Sequence, residues 1–404
     1  MHCTRGLEVL ATLPETTERT AHELRLQVRL GFAQMATAGS AAPSAEHTLE
    51  WALELCPRVD DTPHALMVLR GLSNVYYFQG KSRHAQAVAA YLLRLSQRVG
   101  DQGHCQQAHL RLGQVALSLG HLTVARTHEE QALLLAPPQH DERGSEMGVE
   151  MGVEIRINLA LCLWLLGYAD QAWARAQEAL VLARPRAHPL SLAHALEQAA
   201  RIQAHCGAWP AVQAHADALL TLATEQGLAW FRACALHTRG YALVSQGHPA
   251  EGLAQMHQGL AAFQSQGDPI LPYFGACLAE AYGWNGQVEA GLAVLADSLA
   301  HTYTRERRIG ESRLYRVQGE LLLARAAGPQ QAAAERCFHQ ALAVARQQQA
   351  GGLELQAALR LSRLCQRHGK RAAARQLLAE VYGWFTEGFD TADLQEAKAL
   401  LHEL

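Results

Sequence analysis

Eight glycines recur along the chain at a nearly constant interval, and that interval constrains the fold more than any other feature. They stand at Gly39, Gly80, Gly120, Gly167, Gly207, Gly247, Gly286 and Gly369, spaced by 41, 40, 47, 40, 40, 39 and 83 residues. The last gap holds two units. Its hidden member is "YRVQGELLLARAAGPQQAAAERCFHQALAVARQ", with the bend lengthened near Gly328. Self-similarity at a fixed period of this size marks a repeat architecture, in which each unit covers the apolar face of the next.

Each unit reads as a helical hairpin. An apolar helical stretch runs to a glycine, which ends the helix by taking the left-handed conformation. A short polar bend and an Ala-rich second helix follow. The stretch "HLRLGQVALSLGHLTVARTHEEQALLLAPP" carries the whole pattern: Gly113 in the first helix, the bend at Gly120, Ala125 and Ala132 in the second, and Pro137 as the stop. Ala160, Ala200, Gly240, Ala279, Gly319 and Ser362 fill the small position of other first helices, and Ala172, Ala179, Ala341 and Ala374 that of other second helices. Ala, Leu, Gln, Arg and Glu dominate the composition and lose little entropy in a helix. Only 13 of 404 residues are proline, and alternating β-branched runs are hard to find, so a sheet is not expected.

Small residue, bend glycine, two alanines and terminal proline together resemble the tetratricopeptide motif. The resemblance implies an all-α, right-handed superhelical solenoid with a period of ~40 residues, about nine to ten hairpins forming one array over residues 1–404. That period also suits HEAT-like repeats, but the bend glycine and alanine spacing argue against them. Within the array, residues 1–15 read as an incomplete repeat: "HCTRGLEVLATLP" looks like a second helix without its first, as if the chain were cut from a longer one. Residues 139–153, which include part of the tandem "MGVEMGVE", read as an inter-repeat loop and hinge. Residues 390–404 read as a C-terminal capping helix, started by Asp390 or Thr391 and held on the last hairpin by Tyr382, Trp384, Phe385 and Phe389.

Several stretches are more specific than the generic repeat. "RGLEVLATLPET", "LLGYADQAWARAQEALVLA", "HPLSLAHAL", "LATEQG", "GLAQMHQGLAAF", "YRVQGELLL" and "YGWFTEGFDTADLQEAKALL" together resemble the C-terminal repeat region of large bacterial signalling ATPases. In those proteins a class III adenylate or guanylate cyclase domain, or a DNA-binding domain, precedes a P-loop ATPase module and the repeats. The resemblance implies a regulatory or sensor arm, with an ATPase or cyclase domain as a covalently preceding partner. No GxxxxGK[ST] segment occurs, so no phosphate-cradling loop and no enzymatic activity are expected.

Composition excludes other classes. With 35 basic and 38 acidic residues there is no positive excess to neutralise nucleic acid. No apolar run approaches the ~20 residues that span a bilayer, and no signal peptide is evident, so a cytoplasmic protein is expected. The nine cysteines form no CxxC pair and read as small hydrophobes. Cys105 with His109, and His205, Cys206 and His215, fall short of a zinc ligand set. Glu129 and Glu130 read as a solvated face. No nucleophile turn exposes a catalytic serine, and no cofactor or metal is expected.

The expected function is protein or peptide binding on the concave face, lined by the first helices. Helical periodicity from the small position selects Arg70, Asn74 and Tyr77, then Gln107, Arg111 and Gln114. It continues with Glu154 and Trp164, then His194, Glu197, Arg201 and His205, then His237 and Tyr241. Tyr273, Glu280 and Trp284 follow, then Arg313, Arg316 and Glu320, and finally Arg363 and Arg367. Arg70 with Asn74 also resembles the start of the carboxylate clamp of co-chaperones. The alternative is a small-molecule or peptide sensor with a pocket near His194, His237 and Tyr241.

Overall fold

A computed structural model of the chain describes residues 2–136, 150–184, 188–265, 272–304, 306–325 and 329–404. Among the described residues there are twenty helices and no strand. The array read from the period falls into two compact units, one of residues 1–119 and 127–140 and one of residues 120–126 and 141–404.

The first unit holds α1 (His2–Ala11), α2 (Thr17–Ala38), α3 (Pro43–Val59), α4 (Thr62–Phe78), α5 (Ser82–Val99), α6 (Gln102–Leu119) and the later part of α7 (Leu122–Leu134). The second begins at the Gly120 bend and takes the early part of α7. It continues through α8 (Met151–Leu166), α9 (Ala169–Ala183), α10 (Pro189–His205), α11 (Trp209–Glu225), α12 (Ala229–Ser245) and α13 (Pro249–Ser265). Then come α14 (Pro272–Trp284), α15 (Val288–Thr304), α16 (Glu311–Ala324), α17 (Pro329–Gln348), α18 (Gly351–Arg367), α19 (Arg371–Tyr382) and α20 (Ala392–Glu403). The even-numbered helices α2 to α18 are the first helices of the hairpins.

Each of the eight bend glycines has a positive φ, between 73° and 100°. At Gly167 the closure is complete: its N–H donates to Trp164 O, and the Tyr168 N–H donates to Leu163 O, each at 2.9 Å. These two bonds satisfy carbonyls that the end of α8 would otherwise leave open. Gly328 and Pro137 lie outside the described residues.

Small residues set how closely the helices approach. Ala160, Ala200, Ala279 and Ser362 are at most 1% exposed. A β-carbon on Gly240 would run into the Gly252 carbonyl of the paired helix. In the second helices, Ala125, Ala132, Ala172, Ala179, Ala341 and Ala374 are all fully buried. In the first unit Gly113 makes room for a larger neighbour. The Glu129 carboxylate packs against its Cα and the side chain is fully buried, which corrects the reading of Glu129 as solvated. The space left by a missing β-carbon in α6 admits an acidic side chain from α7.

The second unit closes on itself. After α19 the chain runs back to the α8–α9 bend, where Trp384 and Phe385 cover Gly167. Gln171 donates its backbone and side-chain N–H groups to Glu387 at 3.0 and 2.7 Å, and the Gly388 N–H donates to Asp170 at 3.1 Å. Trp384 therefore docks on α8–α9 and not only on the last hairpin, while Phe385 also joins the core formed with Leu394 and Ala397 of α20. Two boundaries also shift. Thr391 sits at the N-cap of α20 but its hydroxyl donates back to Gly388 O at 2.7 Å, so it does not cap the helix. Residues 151–153, read as loop, open α8, and residues 137–149 lie outside the described residues.

Candidate partner-binding site

All the side chains selected by helical phase lie on first helices, and the structure joins many of them across neighbouring repeats. In the first unit the Arg111 guanidinium donates to Asn74 Oδ1 and to Gln114 Oε1, and sits over the Tyr77 ring at 4.7 Å. Arg70 lies over the Phe32 ring at 5.0 Å. Asn74 is buried. The pair that resembles the start of a carboxylate clamp is partly taken up by contacts inside this unit: the amide oxygen of Asn74 meets Arg111 and Arg70 meets an aromatic face, while Asn74 Nδ2 has no hydrogen-bond partner. Gln107 is half-buried beside this group.

The second unit contains a longer chain of contacts. Glu280 of α14 stands at its centre. It accepts from Tyr241 Oη of α12 at 2.7 Å and from both Arg313 and Arg316 of α16. Arg316 also donates to Glu320 at 2.7 Å. Glu320 accepts from Arg360 of α18 at 2.6 Å, and Arg360 and Arg363 both donate to Glu396 of α20. One carboxylate between two guanidiniums is a strong arrangement when buried, because charge-assisted bonds gain as water is excluded. Burial alone would raise the pKa of Glu280, but Arg313 and Arg316 outweigh it and hold it at about 2. Burial and the neighbouring Glu280 charge push the Tyr241 hydroxyl well above its usual range, so it remains a donor.

At one end of this network lies an aromatic centre. The Tyr273 ring carries the Arg201 guanidinium at 4.2 Å and that of Arg313 at 5.2 Å. The His205 ring meets its edge at 5.7 Å and stacks on Trp164 at 3.7 Å. Side chains from α8, α10, α14 and α16 therefore share one interior. Burial, reinforced by the charges of Arg313 and Arg201, drives the pKa of His205 well below the usual value, so it is a neutral imidazole. Glu197 lies 3.8 Å from Arg201 Nε, and burial raises its pKa against the pull of that arginine.

Other selected residues lie apart. His194 packs between Trp230 and Phe231 of α12, and His237 is 2% exposed against Phe274, its pKa lowered by burial to about 3. With Tyr241 engaged by Glu280, the three residues of the expected small-molecule pocket are all packed against protein. Glu154 is buried in α8, Trp284 stacks on Tyr241 yet is 52% exposed, and Arg367 is exposed. The suspected metal ligands diverge. Cys105 donates to Ser96, and His109 meets His128 at 2.9 Å. His205 faces Trp164, and His215 contacts Ala211 O.

Arg360, Glu396 and Trp209 were missed. Trp209 meets both Tyr241 and Trp284 edge-on. Arg360 falls one residue outside the phase used, yet a signal existed: Glu320 stands 40 residues before it, one full period. Side chains of opposite charge about one period apart fall on neighbouring first helices, where they can meet.

No family model matches the chain, and no curated protein matches it. Solved structures do. A Rap protein complexed with Competence and Sporulation Factor is similar at 11% identity, with a TM-score of 0.64 over 96% of this chain and 99% of that one. A Rap conjugation gene regulator of plasmid pLS20, in complex with the Phr* peptide, is similar at 10% identity, TM-score 0.55, covering 94% and 95%. A STAND ATPase with a tetratricopeptide repeat sensor from Pyrococcus horikoshii shares 13% identity over 97% of this chain and 56% of that one, TM-score 0.49. The chain has a tetratricopeptide-like helical repeat fold.

Proposed function

We propose that the chain is a regulatory scaffold that binds a protein or peptide through the interior of its second unit. The observation that carries this is the convergence of Trp164, Arg201, His205, Tyr273 and Arg313 from four first helices on one interior surface. Tyrosine, tryptophan and arginine supply most of the energy at protein interfaces, because they offer large rigid area with a polar end. Two proteins with this fold are described as complexes, one with the Phr* peptide and one with Competence and Sporulation Factor, which supports the same reading here. No candidate acid, base or nucleophile is aligned for chemistry in the network, whose ionised groups are engaged with one another, so binding is favoured over catalysis.

The finer proposal is that the chain acts as the sensor arm of a signalling ATPase or cyclase, biasing the attached domain when a partner binds. An immunoblot of source cells with antibody to residues 384–404 tests it. A band well above 44.1 kDa supports a larger polypeptide, and a band at that mass removes the arm from consideration.

Binding itself is tested by incubating the immobilised chain with a random decapeptide pool and sequencing what is retained by mass spectrometry. A restricted set, lost on Tyr273→Ala, is expected. Retention no greater than on an unrelated helical protein would sink the proposal.

A further inference from the structure

The interior of the second unit distributes its charge unevenly, and the uneven end points to the chemistry of what binds. Towards α18 and α20, guanidiniums and carboxylates alternate: Arg316 with Glu320, Arg360 with Glu320 and Glu396, and Arg363 with Glu396. At the Tyr273 end they do not. Arg201 and Arg313 lie over the same ring. The carboxylate of Glu280 is already shared among Arg313, Arg316 and Tyr241. Glu197 approaches Arg201 only at 3.8 Å, beyond hydrogen-bonding range.

Two guanidinium nitrogens are left without hydrogen-bond partners there: Nε of Arg201 and Nη1 of Arg313. The Arg313 side chain is 8% exposed and that of Arg201 is 19% exposed. Leaving a charged donor unsatisfied at such depth costs more than leaving a neutral one. An acceptor that carries negative charge would satisfy both and offset the local excess.

We propose that Arg201 and Arg313 form the recognition subsite for a carboxylate of the bound peptide, with Tyr273 as its floor. This rests on the reading of the second unit as a peptide-binding interior. The carboxylate comes from the peptide's C-terminus or from an Asp or Glu side chain, and both sources present the same planar pair of oxygens to a guanidinium.

The experiment uses the full chain and four random decapeptide pools. One has free C-termini with Asp and Glu present. The second is C-terminally amidated. The third has Asn and Gln in place of Asp and Glu. The fourth carries both changes. Retention from the first pool, and a loss of tenfold or more in the fourth, is the expected result. The second and third pools then tell the terminal carboxylate from the side-chain one. In Arg201→Gln, which gives up the contact with Tyr273 and the pairing with Glu197 but keeps a polar side chain, retention from the first pool should fall to that of the fourth in protein that circular dichroism shows to be folded. Arg313→Lys, which keeps the charge near Glu280, should weaken retention by a smaller factor. Equal retention from all four pools overturns the subsite and leaves the peptide reading standing. So does undiminished acid preference in folded Arg201→Gln. Retention from none of the pools overturns both.

Discussion

Glu280 shows how much one side chain can hold together. It is the shared acceptor of two arginines and a tyrosine, each at most 7% exposed. Removing its charge leaves two guanidiniums buried with less compensation, and breaking a buried pair costs far more than breaking one in water. Glu280→Gln should destabilise the chain by about 3–5 kcal/mol in urea denaturation. The comparison is Asp217→Asn. Asp217 pairs with Arg239 at 2.7 Å, but it is 50% exposed and screened by solvent. That change should cost no more than about 1 kcal/mol. Similar losses for the two variants would mean that the interior network is solvated. At this scale the sequence was informative about residue choice but not about partners. Helical phase selected Tyr241, Glu280, Arg313 and Arg316, since it follows from 3.6 residues per turn. It could not reveal that Arg201 reaches across to α14, because that contact depends on how far each hairpin rotates against the last.

The helical hairpin was the most legible element. A glycine at a helix end is a local requirement, met wherever the backbone must turn left-handed, so the period survives in the sequence whatever packs around it. The bends differ, however, in what surrounds them. Gly167 has φ 100°, and a β-carbon there would come within 2.7 Å of Trp384 and 3.0 Å of Phe385. Gly247 has φ 88° and nothing within 4 Å. Alanine at Gly247 should cost only the left-handed penalty, about 1–2 kcal/mol. Alanine at Gly167 adds a collision with the returning C-terminal segment and should cost about 2–4 kcal/mol. It should also speed hydrogen exchange at Gln171 and Gly388, whose N–H groups are held by Glu387 and Asp170. Equal costs at the two glycines would show that residues 384–388 do not press on the α8–α9 bend. The sequence marked Trp384 and Phe385 as packing residues but placed them on the nearest hairpin. Closure of the second unit accumulates from small rotations over many repeats, and no single motif encodes it.

Across the whole chain, the titration of buried groups ties stability to pH, and His237 isolates that linkage. Burial lowers its pKa from 6.5 to about 3 because its neighbours, the Phe274 ring and the Gly259 backbone, solvate an imidazolium poorly. A folded pKa below the unfolded one means that the unfolded chain binds the proton first. The stability contributed is therefore intact above pH 6.5 and is lost progressively as pH falls towards 3. His194 and His205 are lowered in the same sense. Glu197 and Asp393, whose pKa values burial raises, act in the opposite sense, gaining stability as they take up protons. The acid profile of the wild type mixes these contributions, but the difference between wild type and His237→Phe does not. A phenyl ring keeps the tilted packing against Phe274 and cannot titrate. At pH 7 the variant should be the less stable. The gap should then close by about 3 kcal/mol between pH 6.5 and 4, since each unit of pH below the unfolded value carries ~1.4 kcal/mol. Urea denaturation of both proteins at half-unit pH intervals measures it. A gap that stays constant over that range would mean His237 takes up its proton in the folded chain, and that the helices around it open to water well before they unfold.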